Sequence, residues 1–312
     1  MGIENSGSNS ECSGQSYKRT SRTANFTHNN ELYGKKTKTG GIYSYIKIQT
    51  KTLLLKYYVS PITSIRDIAE FRNDDLLSNP NNIKYIQASL DDFGKDLNEL
   101  TLKEIYNILN TNTVKPTFIK SMQYGNLEES LEWIDELINY QFDEDQEEIQ
   151  KFLISLIDVL DRRIPKCNGF SVIAPPSSGK NFFFDMIFAL CLNYGQLGQA
   201  NKHNVFAFQE APNKRILVWN EPNYEWSLTD TIKMMMGGDP YNVRVKHNMD
   251  THVARTPVII LSNKPVGFHT DLAFKDRIIQ YQWKPAPFLK QIELKPYPMS
   301  FFSLLNKYNI IF

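Results

Sequence analysis

A short segment in the second half of the chain has the residue types that bind phosphate. Its residues are Ala174, Pro175, Pro176, Ser177, Ser178, Gly179, Lys180 and Asn181. A β-branched run precedes them and an apolar stretch follows, so the pattern predicts a strand, a loop and a buried helix. Small residues let consecutive backbone N–H groups surround phosphate oxygens, and a helix N-terminus adds positive potential. The segment therefore predicts a P-loop that binds ATP, with Lys180 reaching the β- and γ-phosphates.

The loop departs at both ends from the usual pattern G-x-x-x-x-G-K-[ST]. Ala174 stands at the first glycine, and Asn181 stands where a hydroxyl usually binds Mg²⁺. An asparagine carbonyl can still ligate Mg²⁺, directly or through water, because this ion takes oxygen ligands and retains several waters. Asn181 is therefore a predicted Mg²⁺ ligand, although such a loop taken alone is also compatible with an ordinary turn.

Two apolar runs downstream end in polar side chains. Residues 215–219 lead to Asn220 and Glu221, and residues 256–261 lead towards Asn263. Because parallel strands end at one edge of a sheet, these side chains are expected beside the P-loop. Glu221 is the predicted general base and a metal ligand, Asn220 a polar or metal-shell group, and Asn263 the residue that orients water or senses the γ-phosphate. Taken singly, each of these residues is also compatible with an ordinary strand end. Their shared register with the P-loop favours a nucleotide-binding site.

The order of these segments resembles the superfamily 3 helicases of small DNA viruses, and most closely the replication proteins of parvoviruses, in particular insect densoviruses. The resemblance covers about residues 165–285. It depends on the loop ending at Asn181, the strand ending at Pro222, the segment 237–248 and the strand ending at Asn263. It implies an α/β, AAA+-like P-loop ATPase with a parallel central sheet, preceded by a small helical bundle.

The resemblance also implies roles for residues outside the loop. In the family, a hairpin between the second and third strands grips single-stranded DNA, and Lys246 and His247 match it; lysine neutralises a phosphate, and imidazole donates a hydrogen bond or stacks on a base. An arginine finger comes from the adjacent subunit. Arg277 is the predicted finger because a guanidinium stabilises charge on the transferring phosphoryl group. Arg255 and Lys275 are alternatives, and a purely structural Arg277 also remains open.

The function implied is that of an ATP-dependent DNA helicase of viral DNA replication. It would use ATP and Mg²⁺, bind single-stranded DNA, form a homo-oligomeric ring expected to be a hexamer, and work in the host nucleus. Two alternatives remain: a nucleotide- or DNA-binding regulator, favoured by Ala174, Asn181 and Asn220, and a P-loop enzyme acting on a small molecule. The family's origin-nicking domain needs a metal-binding His-hydrophobic-His pair. Only His28 precedes residue 200, so that domain is not recognisable.

Composition adds few constraints. The chain has 312 residues with 35 Lys and Arg against 34 Asp and Glu, so its net charge of +1 indicates neither a nucleic-acid nor a membrane partner. The three cysteines form no metal or C-x-x-C pattern, which fits a reduced intracellular compartment. No run approaches the roughly 18 apolar residues of a membrane span, so a soluble protein without a membrane partner is expected. The start at Gly2 loosely fits an N-myristoylation pattern.

Outside residues 165–285, the sequence predicts four further regions. Residues 1–41 are polar and predict a disordered tail, in which the basic cluster 35–38 is a linker or a nuclear-import or phosphate contact. Residues 42–120 have an uncertain fold, although the aromatic and β-branched run 42–59 suggests one or two strands. Residues 286–312 form a C-terminal tail.

Helical patterns occupy the region before the P-loop. Thr101 and Glu104 form a capping box ahead of a short helix. Within residues 121–164, two amphipathic helices are predicted by apolar residues spaced along one face: Leu127, Leu131, Ile134 and Ile138, then Ile149, Phe152, Leu153, Leu156, Ile157 and Leu160. The resemblance makes this pair an oligomerisation bundle, whereas periodicity alone also allows the helices to pack on their own domain.

Overall fold

Seven strands lie in the part of the chain that the computed structural model describes. They are β1 Gly169–Ile173, β2 Tyr194–Gln196, β3 Ile216–Asn220, β4 Tyr241–Val243, β5 Thr251–Val253, β6 Val258–Ser262 and β7 Ile278–Gln282. Five of them form one sheet in the order β2-β3-β6-β1-β7, and every pairing in it is parallel. Strands β4 and β5 form a separate antiparallel hairpin. The predicted α/β fold with a parallel central sheet is therefore confirmed.

The structure describes residues 41–111, 114–201, 203–247 and 249–312. The basic cluster 35–38, the pattern at Gly2 and nearly all of the predicted polar tail lie outside these ranges.

The described ranges contain ten α-helices, which lie before, between and after the strands. They are α1 Ile42–Tyr57, α2 Ala69–Arg72, α3 Ile83–Asn98, α4 Leu102–Asn110, α5 Leu127–Gln141, α6 Gln146–Leu160, α7 Lys180–Leu190, α8 Thr229–Gly237, α9 Gly267–Thr270 and α10 Ser300–Lys307. Short 3₁₀ turns span Ile62–Asp67, Pro80–Asn82, Trp226–Leu228, Leu272–Phe274 and Pro287–Gln291. None of the helices in the described ranges is long and apolar enough to cross a bilayer.

The sheet is covered on both faces, as the continuous apolar strands require. On one face, Phe152 of α6 lies 5.5 Å from Phe170 of β1 and 5.9 Å from Phe183 of α7, measured between ring centroids. On the other face, Trp219 and Ile260 belong to a buried cluster that includes α8 and the β4–β5 hairpin. The two apolar layers fix the strands so that their carboxyl ends form one edge.

The prediction of one or two strands within residues 42–59 is wrong, because residues 42–57 form helix α1. Its buried residues Ile46, Thr50, Leu53 and Leu54 recur at helical spacing. Of the four tyrosines in the run, Tyr43 and Tyr45 are exposed. The amphipathic period thus outweighs the β-propensity of single residues.

The other helix predictions are largely confirmed. The capping box at Thr101 and Glu104 is present at the start of α4. Helix α6 buries all six residues predicted for its apolar face. In α5, Ile134 and Ile138 are buried, but Leu127 is 44% exposed at the helix start.

Helix α6 packs on the molecule's own sheet, which accounts for its apolar face. Phe152 contacts the rings of Tyr281 and Trp283 in addition to those of β1 and α7. A role for α5 and α6 in oligomerisation therefore stays a prediction and would involve their outer, acidic faces. The predicted C-terminal tail contains α10, which buries Phe301 and Leu305 and packs against α5.

Candidate nucleotide and DNA site

The predicted P-loop connects β1 to α7. Ser177 and Gly179 adopt left-handed backbone conformations with φ values of 61° and 83°. A Cβ atom built on Gly179 would lie 2.5 Å from Leu289 Cδ1 and 2.9 Å from Leu137 Cδ1. Glycine is therefore required at position 179 both for its backbone conformation and for space.

Three strand ends bring the predicted polar residues together. Lys180 is only 8% exposed. Its ammonium donates a hydrogen bond to Asn263 Oδ1 and another, 3.1 Å long, to the Ala174 carbonyl. It also lies 3.5 Å from Glu221 Oε1. The second Glu221 oxygen accepts a 3.0 Å bond from the Asn263 backbone N–H. The predicted convergence of Lys180, Glu221 and Asn263 is thus observed.

These residues surround an open cleft of about 410 Å³. Its lining includes Pro175, Pro176, Ser177, Ser178, Gly179, Lys180, Asn181, Phe182, Asn220, Glu221 and Asn263. Ala174 is buried beneath the loop, where its N–H donates to the Ser262 carbonyl over 2.8 Å. The cleft therefore contains every predicted nucleotide-binding residue except Ala174, and adds Phe182.

The backbone of Glu221 is left-handed, with φ at 47°. Such a conformation costs a non-glycine residue about 1 kcal/mol or more and is concentrated at functional sites. Its N–H donates to the Leu261 carbonyl of β6 over 2.8 Å, and its carbonyl accepts a 3.2 Å bond from Gln199. These contacts hold the turn in place, and the carboxylate remains half exposed in the cleft.

The oxygen donors at the cleft fit Mg²⁺, which binds through one or two carboxylates together with substrate phosphates and water. Asn181 is exposed at the first turn of α7, Asn220 is half-buried at the end of β3, and Glu221 follows it. The Ser178 hydroxyl is buried and has no hydrogen-bond partner in the described structure. Across the described ranges there is no group of three or more His, Cys, Asp or Glu that could hold a metal by itself.

The segment predicted to bind DNA forms the β4–β5 hairpin. Tyr241 pairs with Val253, and Lys246 and His247 are exposed in the connecting turn. Sequence reasoning missed two further exposed basic residues, Arg244 and His252. Strand periodicity could have indicated Arg244. Tyr241 and Val243 are apolar and buried, and alternate residues of a strand point to opposite faces, so position 244 points outward.

Arg277 lies at the amino-terminal ends of the parallel strands, opposite the P-loop. Ile278, the next residue, pairs with Gly169 at the start of β1, whereas the P-loop follows the end of that strand. Its guanidinium donates to the Ala273 carbonyl, and its Nε is buried with no hydrogen-bond partner in the described structure. Arg277 therefore cannot reach the cleft of its own chain.

The two alternatives to Arg277 differ in their surroundings. Arg255 donates to the carbonyls of Ile164 and Cys167 and to the side chain of Asn168, so its guanidinium is occupied within the fold. Lys275 is exposed. The geometry thus makes Arg255 a structural residue.

A histidine that the sequence did not single out lies behind the site. His269 Nδ1 accepts a 3.0 Å bond from the Val266 N–H, and Nε2 lies 2.8 Å from the hydroxyl of Ser171 in β1. Burial lowers the pKa of His269 from 6.5 to about 4. The ring is therefore neutral, and with Nδ1 accepting, Nε2–H is the donor to Ser171.

The sheet, the loop after β1 and the two polar strand ends define an α/β domain of the P-loop type. Residues 148–273 match the family described as "Parvovirus non-structural protein NS1". The chain is 61% identical over 311 residues to initiator protein NS1 of Diatraea saccharalis densovirus and 60% identical to that of Junonia coenia densovirus. The chain is therefore similar to parvovirus NS1 proteins, within residues 148–273 by the family description and over nearly its whole length to the two densovirus proteins.

The matches differ in how much of each protein they cover. Both densovirus alignments include 97% of this chain but only 57% of the relative, so the chain spans little more than half of their length. Among solved structures, a JCV helicase with a bound acetamide compound matches 86% of this chain and 87% of its own. Its TM-score is 0.55 at 13% identity, a likeness of fold.

Proposed function

We propose that this chain hydrolyses ATP and uses the energy to move along single-stranded DNA, as the helicase domain of a viral replication protein. The observation that supports this proposal is the convergence of Lys180, Glu221 and Asn263 on one cleft beside a P-loop. The similarity to NS1 initiator proteins and the likeness in fold to the JCV helicase also support it. ATP is the proposed substrate, and Mg²⁺ is the proposed metal.

Phosphate binding would involve the loop and Lys180. The N–H groups at the start of α7 and the helix dipole favour an anion at this position. The Lys180 ammonium, held by Glu221 and Asn263 in this structure, would transfer its hydrogen bonds to the β- and γ-phosphates. Bound Mg²⁺ supplies charge neutralisation for the phosphate oxygens, with Asn181 and Glu221 as the proposed protein ligands, direct or through water.

Hydrolysis would depend on Glu221 and Asn263. The Glu221 carboxylate accepts a proton from water as the water oxygen attacks the γ-phosphorus, and the bond to the ADP oxygen breaks. Asn263 is fixed by its N–H bond to Glu221, so its side-chain amide can orient the water or contact the γ-phosphate. Asn220 would complete the polar shell of the metal.

Assembly into a ring would complete the site. Because Arg277 lies at the opposite edge of the sheet, it can stabilise the transferring phosphoryl group only in another subunit's cleft. A homo-oligomeric ring, proposed to be a hexamer, would place the β4–β5 hairpins around one strand. Lys246 and His247 would then contact DNA, with Arg244 beside them. The proposed site of action is the host nucleus.

ATP turnover, measured with and without single-stranded DNA, tests the proposal. The wild type should hydrolyse ATP faster when DNA is present, and Lys180→Ala should abolish turnover under both conditions. Lys84→Ala, which removes an exposed lysine of α3, is the control and should match the wild type. ATP binding without turnover would instead support a nucleotide-binding regulator, which the missing hydroxyl at Asn181 favours. Turnover that ignores DNA and requires a metabolite would support a small-molecule enzyme.

A further inference from the structure

Helix α5 ends against the back of the P-loop. Its last residue, Gln141, is 7% exposed and makes three hydrogen bonds through its side-chain amide. The Nε2 group donates to the Ser178 carbonyl over 2.9 Å and to the Lys284 carbonyl over 2.8 Å. Oε1 accepts a 2.7 Å bond from the Lys284 N–H. One side chain thus links α5, the P-loop and the segment that follows β7.

A second bond holds the neighbouring loop carbonyl. The Ala286 N–H donates to the Ser177 carbonyl over 2.8 Å. Ala286 lies two residues beyond Lys284, which Gln141 holds, and Tyr140 donates to the intervening Pro285 carbonyl over 2.9 Å. The end of α5 therefore contacts the loop directly and also supports the segment that holds Ser177.

The direction of these carbonyls decides where the loop N–H groups point. In a trans peptide, the C=O of one residue and the N–H of the next point in opposite directions. Holding the carbonyls of Ser177 and Ser178 at the back of the loop directs the N–H groups of Ser178 and Gly179 to the front. Neither N–H has a hydrogen-bond partner in the part of the chain that the structure describes. They are therefore available to an anion in the cleft.

We propose that Gln141 is a positioning residue that keeps the P-loop in its phosphate-binding conformation. The inference rests on the proposed ATPase function. A glutamine suits this position because one amide supplies both donors and the acceptor that the three bonds need. Leucine or methionine would leave the carbonyls of Ser178 and Lys284 and the Lys284 N–H without these bonds, and glutamate could not donate to either carbonyl.

Kinetic measurements on Gln141→Met and Gln141→Glu test this role. Since Lys180, Glu221 and Asn263 are untouched, the KM for ATP should rise about tenfold or more while kcat changes by less than about threefold. A merely structural role would lower the active fraction, and hence kcat, with KM unchanged. Gln150→Met is the matched control, because Gln150 of α6 makes a single 3.1 Å bond to the Tyr308 carbonyl. Its KM should equal that of the wild type.

Hydrogen–deuterium exchange of the nucleotide-free protein separates this inference from the proposed function. Peptides covering residues 174–182 should exchange faster in both Gln141 variants than in the wild type and Gln150→Met, whether or not the protein hydrolyses ATP. Unchanged exchange with an unchanged KM would overturn the role of Gln141. If the wild type shows no ATP turnover and the Gln141 variants still exchange faster than the wild type, the role of Gln141 stands and the proposed ATPase activity is refuted.

Discussion

The Glu221 carboxylate lies 3.5 Å from the Lys180 ammonium. Glu221 follows β3 and Lys180 follows the loop after β1, and β6 lies between these two strands in the sheet. The pair is unequal, because the Lys180 side chain is 10% exposed and that of Glu221 is 47% exposed. A nearly buried cation needs a partner. In this structure Glu221 and Asn263 supply it, and a bound triphosphate would take their place. The same contact thus positions the proposed base and gives the nearly buried ammonium an oppositely charged partner.

Replacement of Glu221 by glutamine should separate ATP binding from hydrolysis. The amide cannot accept the proton of the attacking water, so turnover should fall by about 100-fold or more. Binding should persist, because the loop and Lys180 remain and a negative charge near the phosphates has been removed. Equilibrium binding of a fluorescent ATP analogue and steady-state turnover measure the two effects. Glu225→Gln, on the same connection but outside the cleft lining, should leave both unchanged. Full turnover in Glu221→Gln would exclude it as the base.

Replacement of Gly179 by alanine should abolish ATP binding. The added methyl group would clash with Leu289 and Leu137, and φ at 83° is unfavourable for alanine. The loop would have to shift, and its N–H groups would turn away from the phosphates. Gly41→Ala is the control, because nothing lies within 4 Å of its added Cβ. Isothermal titration with ATP should show no binding for the first variant and wild-type binding for the second. Wild-type affinity in Gly179→Ala would show that the loop conformation is not needed.

A buried ion pair joins the helical region to the sheet, and its loss should destabilise the fold. Arg215, just before β3, is 3.0 Å from Asp161, and their side chains are 0% and 1% exposed. Asp161 also accepts a 2.9 Å bond from the Leu102 N–H at the start of α4. Asp161→Asn leaves the arginine charge uncompensated, which should lower the free energy of unfolding by about 3–5 kcal/mol. Urea denaturation measures the change.

Glu148→Gln provides the control for that measurement. Glu148 pairs with Lys151 on the exposed surface of α6, one turn apart. Surface pairs of this kind contribute little to stability. The variant should unfold at the same urea concentration as the wild type. An equal loss of stability in both variants would show that burial of the ion pair does not determine the effect of breaking it.

Local patterns predicted the elements that carry the site. The order of strand, small-residue loop and helix fixed the position of the P-loop, and the polar ends of β3 and β6 predicted that Glu221 and Asn263 would meet Lys180. Parallel strands share one carboxyl edge, so a correct strand assignment was enough to bring these residues together.

Contacts between distant segments could not be predicted in this way. Gln141 is one polar residue at the end of an amphipathic helix, and nothing local indicates that Ser178 and Lys284 will be its partners. The run 42–59 was misassigned for a related reason, since α1 is stabilised by packing on α3 rather than by its own propensity. His269 likewise gains its role only when β1 places Ser171 beside it.

The depressed pKa of His269 predicts a pH-dependent stability. With a pKa of about 4 in the folded chain and 6.5 in the unfolded chain, the unfolded state binds more protons between these values. Stability should therefore be complete above about pH 6.5 and decrease as the pH falls towards 4. The loss is on the order of 2 kcal/mol, below the value for the full shift because the ring is only half-buried. Thermal unfolding from pH 4 to 8 measures it.

His269→Gln isolates this contribution from that of the carboxylates. The variant should lack the part of the pH dependence that His269 causes, so the stability difference between wild type and variant should shrink as the pH is lowered. His252→Gln, which removes an exposed histidine of β5, should retain the wild-type profile. Parallel profiles for wild type and His269→Gln would contradict the neutral state of the half-buried ring.

The β4–β5 hairpin should contribute a salt-dependent part of single-stranded DNA binding. Lys246 is exposed in the turn, and Arg244 is exposed at its base, so each can neutralise one phosphate. Because each phosphate contact releases counterions, Lys246→Ala should reduce the slope of log K against log salt by about 0.7, and the double variant with Arg244→Ala by about twice that amount. Fluorescence anisotropy at several salt concentrations measures the slopes, and Lys84→Ala should not change them. Since the hairpin lies apart from the cleft lining, ATP affinity without DNA should also stay at the wild-type value. Unchanged slopes in the double variant would remove the hairpin from the DNA-binding surface.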